Sequence, residues 1–307
     1  MNRRAFVTGL GAVLAAPLAA EAQQAGKVYR IGYLLTATRE QQAQLARAFE
    51  EGLRDLGYVP GRNVVIEYRF ADGKLEQLPQ LAQDLVRLKV DVIVTGSNPH
   101  VIAAKQATTT IPIVMVSAVD PVGDGLVGSF ARPGGNITGL TSDVGAELGG
   151  KRLELLKEFV PRLSRVAVLV DPRFPPAPAL LKAMETPARA LGMTVVRFDA
   201  RGPDDLEGVF AAMTRARAGA LVVTGGPVLF IMRSQIAQLA LRNRLPSIYG
   251  VTSEFVEAGG LMSYGANLRD LYRRAATYDD KILKGAMPDG QIAEQATKFE
   301  LVSGPIR

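Results

Sequence analysis

No cysteine occurs among the 307 residues, which excludes disulfide frameworks, thiolate metal sites and cysteine nucleophiles. Tryptophan is absent too, and histidine occurs once, as His100. A multi-histidine metal centre is therefore excluded, and any Ser-His-Asp triad would have to use that one imidazole. No run of five or more like charges occurs, and acidic and basic residues alternate along the helical stretches. That is the pattern of solvated faces, so no nucleic-acid partner is expected despite a formal charge of +6. The sequence holds no G-x-S-x-G elbow, H-E-x-x-H pair or phosphate-loop lysine. Catalysis has little to work with. With 31 glycines, 18 prolines and 48% hydrophobic residues, the composition is that of a globular chain long enough for two packed units.

The first 22 residues read as an export signal, of either the twin-arginine or the ordinary Sec type. Arg3 and Arg4 precede an uncharged, mainly apolar run from Gly9 to Ala20, and Ala20-Glu21-Ala22 supplies small residues before a cleavage point. The run is about a dozen residues, short of the roughly 20 that a membrane-spanning helix needs. The expected mature protein starts near Gln23, lies outside the cytoplasmic membrane and is a monomer.

From Val28 onward, strands and helices alternate. Short apolar runs (Val28–Leu35, Val92–Thr95, Ile113–Val116, Val166–Val170, Ala220–Val223) lie between stretches with helical spacing. Helices are expected at Glu40–Leu56, Leu75–Leu88, Pro99–Thr108, Lys151–Phe159, Ala177–Leu191, Asp204–Ala216 and Val228–Asn243. Apolar strands between helices indicate parallel sheets covered on both faces, so the fold class is α/β, doubly wound. The two halves also resemble each other. Ile93-Val-Thr-Gly-Ser97 matches Val222-Val-Thr-Gly-Gly226, each leading into a proline that opens a helix, and three further matches follow the same order. Two Rossmann-like lobes joined by a hinge are expected.

Such lobes bind ligands in the crevice at the carboxyl ends of their strands. The loops there carry Thr36, Ser97, Asn98, Ser117, Asp120, Asp171, Thr224, Gly225 and Tyr249. Free N–H groups at Ser97–Asn98 and Thr224–Gly226 suit an anion such as a carboxylate, although Ser97 and Asn98 are equally good helix caps. Asp120 is the candidate partner for a ligand ammonium, with a turn before Pro121 as the plainer reading. Tyr249 could stack on an aromatic ligand or be a core residue. His100 is read as a surface or capping residue. Gly123-Asp-Gly-Leu-Val-Gly128 satisfies G-x-G-x-x-G, but no strand runs directly into it and Pro133 stops any helix soon after, so no dinucleotide or other cofactor is expected.

Several blocks carry a resemblance to a known family. They include Phe49-Glu-Glu-Gly-Leu-Arg-Asp-Leu-Gly-Tyr58, Ala104-Lys-Gln-Ala-Thr-Thr-Thr-Ile-Pro-Ile-Val114, Arg132-Pro-Gly-Gly-Asn-Ile-Thr-Gly-Leu-Thr141 and Ala275-Ala-Thr-Tyr-Asp-Asp-Lys-Ile-Leu-Lys-Gly285. The chain resembles periplasmic substrate-binding proteins of ABC transporters, in the family with tryptophan- and tyrosine-binding members. The resemblance implies a type I periplasmic-binding fold, a non-enzymatic role, a small-molecule ligand such as an aromatic amino acid, and a membrane permease as partner. By that analogy the chain crosses between lobes near Thr141–Gly149 and Ser263–Asn267, which adds Thr141 and Asn267 to the candidate ligand contacts. The lobes are then expected at 23–144 plus 267–307 and at 145–266. Relatives continue past Lys298-Phe-Glu-Leu-Val302, so a last crossing is expected to be missing here, and Asp171 stands where a neutral asparagine is usual. Two other classes share the fold: an α/β enzyme using the same cleft, and the sensor domain of a regulator.

Overall fold

The computed structural model describes residues 27–143, 146–250 and 253–304, so the proposed export signal lies outside the described part. The first lobe starts with β1 (Tyr29–Leu35), α1 (Arg39–Asp55), β2 (Val64–Phe70), α2 (Leu78–Arg87), β3 (Val92–Thr95), α3 (Asn98–Ala107), β4 (Ile113–Val119) and β5 (Ile137–Asp143). The second contains α4 (Ala146–Phe159), β6 (Arg165–Val170), α5 (Ala177–Ala190), β7 (Thr194–Asp199), α6 (Leu206–Arg215) and β8 (Ala220–Val223). It continues through α7 (Pro227–Ile231), α8 (Arg233–Arg242), β9 (Ser247–Tyr249), α9 (Ser253–Glu257) and β10 (Met262–Ala266). Then come α10 (Leu268–Leu283), β11 (Glu294–Gln295) and β12 (Phe299–Ser303).

Two six-stranded sheets result, ordered β11-β5-β4-β3-β1-β2 and β12-β10-β9-β8-β6-β7. All pairings are parallel except β10 with β12. The central strands β3 (Val-Ile-Val-Thr) and β8 (Ala-Leu-Val-Val) are buried at every position, as helices on both faces require. In the first lobe α1 and α10 cover one face of the sheet while α2 and α3 cover the other. The second lobe is built the same way, with α4 and α5 on one face and α6 and α8 on the other. This is the doubly wound, two-lobe architecture that the alternation of elements implied.

Helix α1 starts in a capping box, with Thr38 Oγ1 accepting from Gln41 N while Gln41 Oε1 accepts from Thr38 N. Its buried stripe (Leu45, Phe49, Leu53) faces α10, which offers Leu271, Ala275 and Ile282. The two helices approach so closely at Gly52 that a Cβ there would strike the backbone oxygen of Arg273. The helix expected over 228–243 is broken at Met232 (φ −83°, ψ 5°). Its first part, α7, lies along the cleft between the lobes, whereas α8 buries Ile236, Leu239 and Ala240 in the second lobe.

The chain changes lobe between Asp143 and Ala146, since β5 belongs to the first sheet and α4 packs in the second lobe. It returns at Asn267, between β10 and α10. A third crossing follows β11. That strand extends the first sheet beside β5, and β12 then pairs antiparallel with β10 in the second. The expectation that the last crossing is missing is thus corrected, as is the placing of the whole 267–307 tail in the first lobe. Phe299–Ser303, only partly buried at Phe299 and Val302, pairs with β10 alone and is the edge strand of the second sheet.

Candidate functional site

The carboxyl ends of both sheets face one another across a cleft of about 570 Å³, part of it open to solvent. The first lobe contributes Thr36 after β1, Gly96 and Ser97 after β3, Ser117 and Val119 on β4, and Ser142 on β5. From the second lobe come Phe174, Gly225, Gly226, Pro227 and Phe230; Gln42 and Leu45 of α1 and Leu268 and Tyr272 of α10 complete the wall. Aromatic faces from both lobes therefore oppose a row of hydroxyls on the first.

His100 lies at the centre of that row, 2% exposed. Its Nε2 is 2.7 Å from Thr36 Oγ1, and its Nδ1 is 3.1 Å from Ser97 N. Burial strips water from the imidazole and pulls its pKa down to about 4, so the ring is neutral at physiological pH. Gly96 leaves room for this arrangement. A Cβ there would strike Leu35 and would sit 3.2 Å from the Tyr272 hydroxyl and 3.3 Å from His100 Nδ1. Burial also holds the Tyr272 phenol protonated.

The lobes touch on both sides of the cleft. Gln41 Nε2 donates to Ile231 O at 3.4 Å. Arg269, in the first turn of α10, meets Glu257 of α9 at 2.6 Å and also bonds Gln44 of α1. Phe230 packs against core clusters of both lobes, and so does Leu75.

A family model described as ABC transporter substrate binding protein matches residues 39–303. The chain belongs to that family. This substrate-binding protein is 25% identical over 239 residues to the tyrosine-binding protein of Clostridioides difficile (strain R20291), covering 78% of this chain and 68% of that one. Among solved structures it is similar to an ABC domain from Streptococcus pneumonia in complex with L-Trp, with TM-score 0.83, 22% identity and coverage of 90% and 92%. It is also similar to a ligand-free, open substrate-binding protein with adhesive properties from Clostridium difficile, with TM-score 0.65, 24% identity and the same coverage, 90% and 92%. These likenesses show the periplasmic-binding fold, and family membership makes the protein the non-enzymatic solute-binding component of an ABC transporter.

Of the loop residues singled out in the sequence, Thr36, Ser97, Ser117 and Gly225 line the cleft of this substrate-binding protein. The others, Thr141 apart, have structural partners. Asp120 is exposed, with φ +40°, and its Oδ1 accepts from Gly123 N at 3.0 Å. It forms a turn and is not among the residues that line the cleft. Asn98 ties α3 to β4 through both amide atoms, donating to Val119 O and accepting from Val119 N, and also donates to Asp124. Burial raises the Asp124 pKa, against the opposing bond from Asn98. Asp171 is fully buried and held by Arg173 at 3.0 Å; its neighbour on the same loop, Phe174, reaches the cleft instead. Thr224 donates to Leu169 O, and Thr141 is buried in β5 one residue from the lining Ser142. Tyr249 is a core residue, stacked on Phe255 at 4.4 Å with its hydroxyl 2.9 Å from Ser247 Oγ. Asn267 caps α10 by accepting from Asp270 N and donates to Glu300.

Sequence reasoning missed Phe174, Phe230, Gln42 and Tyr272; of its two readings of His100, the structure bears out the cap, with Nδ1 accepting from Ser97 N, and its burial rules out the surface. A capping signal was available for His100, since it stands three residues after Ser97, at the position from which a side chain reaches back to the cap N–H. No local pattern marks Tyr272, which enters from a helix 155 residues beyond Ser117.

Proposed function

We propose that this protein is an exported solute receptor whose lobes close on a small organic molecule and present it to a membrane permease, with aromatic amino acids as the first ligand class to test. The observation that carries the reading is the makeup of the cleft. Phe174 and Phe230 from the second lobe and Tyr272 from the first give flat apolar faces, while Thr36, Ser97, Ser117 and Ser142 give polar anchors. The ligands named for its relatives, tyrosine and L-Trp, support the same class. The polar groups that line the cleft are neutral among the described residues, so an amino-acid ammonium would be met by Gln42 Oε1 or hydroxyl oxygens, not by Asp120. The lobes hinge about Asp143/Ala146, Asn267 and the stretch between β11 and β12, and the protein acts as a monomer in the periplasm once residues 1–22 are removed.

Mass spectrometry of the solute that co-purifies with the protein, followed by a thermal-shift screen, tests this reading. A ligand at 100 times its Kd adds about 2.7 kcal/mol of stability, which a melting curve resolves. A protein that carries no solute and whose melting point no aromatic amino acid shifts would sink the aromatic assignment.

A further inference from the structure

His100 is buried in the cleft wall with hydrogen-bonding groups at both ring nitrogens, and counting those bonds fixes what the wall offers a ligand. At Nδ1 the backbone of Ser97 supplies both a donor, N at 3.1 Å, and an acceptor, O at 3.1 Å. Ser97 O already accepts from His100 N at 3.0 Å and Val101 N at 3.3 Å as part of the first turn of α3. Ser97 N has no other acceptor among the described residues. A buried N–H left unpaired is costly, so Nδ1 is the acceptor and the neutral ring carries its proton on Nε2. That proton goes to Thr36 Oγ1 at 2.7 Å. Thr36 Oγ1 thus spends a lone pair on His100, and its own proton has no acceptor among the described residues. Thr36 is 1% exposed and lines the cleft. The neighbouring Ser97 Oγ is buried in the same wall with no hydrogen-bond partner among the described residues.

We propose that His100 is a positioning residue that commits the Thr36 hydroxyl, with Ser97 Oγ beside it, to donate into the cleft, so that this wall selects a ligand presenting a carboxylate or carbonyl oxygen. The inference rests on the reading of the cleft as an aromatic-ligand site and adds which end of the ligand meets which wall. The polarity is set by the imidazole. A residue that only accepted from Thr36 would draw the hydroxyl proton away from the cleft, and an apolar one would leave the hydroxyl free to rotate.

The chain has no tryptophan, so indole fluorescence reports the probe alone. The probes are L-tryptophan and L-tryptophanol, which differ in having a carboxylate or a CH₂OH group. Wild-type protein is expected to bind tryptophan at least tenfold more tightly than tryptophanol, about the discrimination of one charge-assisted hydrogen bond. His100→Gln retains the preference, because its amide oxygen can accept from Ser97 N while its NH₂ donates to Thr36. In His100→Leu and Thr36→Val the preference shrinks to threefold or less, with tryptophanol affinity within threefold of wild type. Should His100→Leu fail to fold, Thr36→Val decides alone. An undiminished preference in Thr36→Val and His100→Leu, or no preference in the wild type, overturns the inference and leaves the receptor reading intact. If neither probe binds the wild type, the aromatic-ligand reading falls and the inference with it.

Discussion

Two buried titratable side chains pull the stability of this protein in opposite directions with pH. Asp279 of α10 is fully buried, and neither carboxylate oxygen has a hydrogen-bond partner among the described residues. Burial raises its pKa well above the ordinary carboxylate range. The folded state therefore keeps a proton that the unfolded chain gives up above about pH 4, and stability falls as pH rises past that point. Asp279→Asn, which cannot ionise, should melt higher than wild type at pH 7 and close to it at pH 4. A constant difference across that range would mean that the carboxyl is not buried. His100 has the other sign. Its folded pKa of about 4 lies below the usual 6.5, so between those values the unfolded chain binds the extra proton and stability is lost as pH falls. Wild type should lose on the order of 3 kcal/mol more than His100→Gln between pH 7 and pH 4. Parallel thermal melts at both pH values measure it.

At the scale of elements, α1 and α10 approach one another closely at Gly52. Gly52→Ala places a methyl group against the Arg273 carbonyl, with Ala276 also adjacent, and one helix must shift. A loss of about 1–3 kcal/mol is expected, several degrees in melting temperature, with ligand selectivity unchanged. A gain in stability, which alanine's higher helix propensity alone would give, would contradict the close approach. Elements of this kind were largely legible in the sequence. Residues Val92–Thr95 and Ala220–Val223 read as buried strands because nothing polar interrupts them, and the structure has strands over those same residues. Local patterns fail where the outcome depends on which way a loop side chain turns, or on an element distant in sequence. Asp120, Asp171 and Tyr249 look like ligand contacts on strand-end loops, yet each is satisfied by a group close by in sequence: Gly123, Arg173 and Ser247. Phe230 and Tyr272 look like ordinary apolar helix positions, and only the meeting of the lobes makes them a cleft.

For the whole molecule, closure is held by contacts that exist only when the lobes meet. Arg269 reaches Glu257 across the cleft mouth, half-exposed at both ends. An exposed pair contributes less than about 1 kcal/mol, so Arg269→Ala should weaken ligand affinity only a few-fold. It should also enlarge the ligand-free radius of gyration in small-angle scattering as the open state gains weight. An unchanged radius would place the balance of closure elsewhere, in the packing of Phe230 or Leu75. Export is testable on the same scale. If the twin arginines are read, Arg3→Lys with Arg4→Lys should retain the protein in the cytoplasm on fractionation; normal export of the double variant would point to the general secretory route.

The third crossing ties the order of synthesis to the order of folding. β11 is the last strand of the first sheet and β12 the last strand of the second, and both lie within ten residues of one another near the end of the described chain. The first sheet also waits for its covering helix α10, which meets α1 more than two hundred residues after α1 is made. Neither lobe can be completed on the ribosome until residues 294–303 have been made. The protein therefore emerges as two unfinished half-cores that close almost together, a high-contact-order route with slow folding. A chain released a few strands early would lose both lobes at once, and not merely the nearer one.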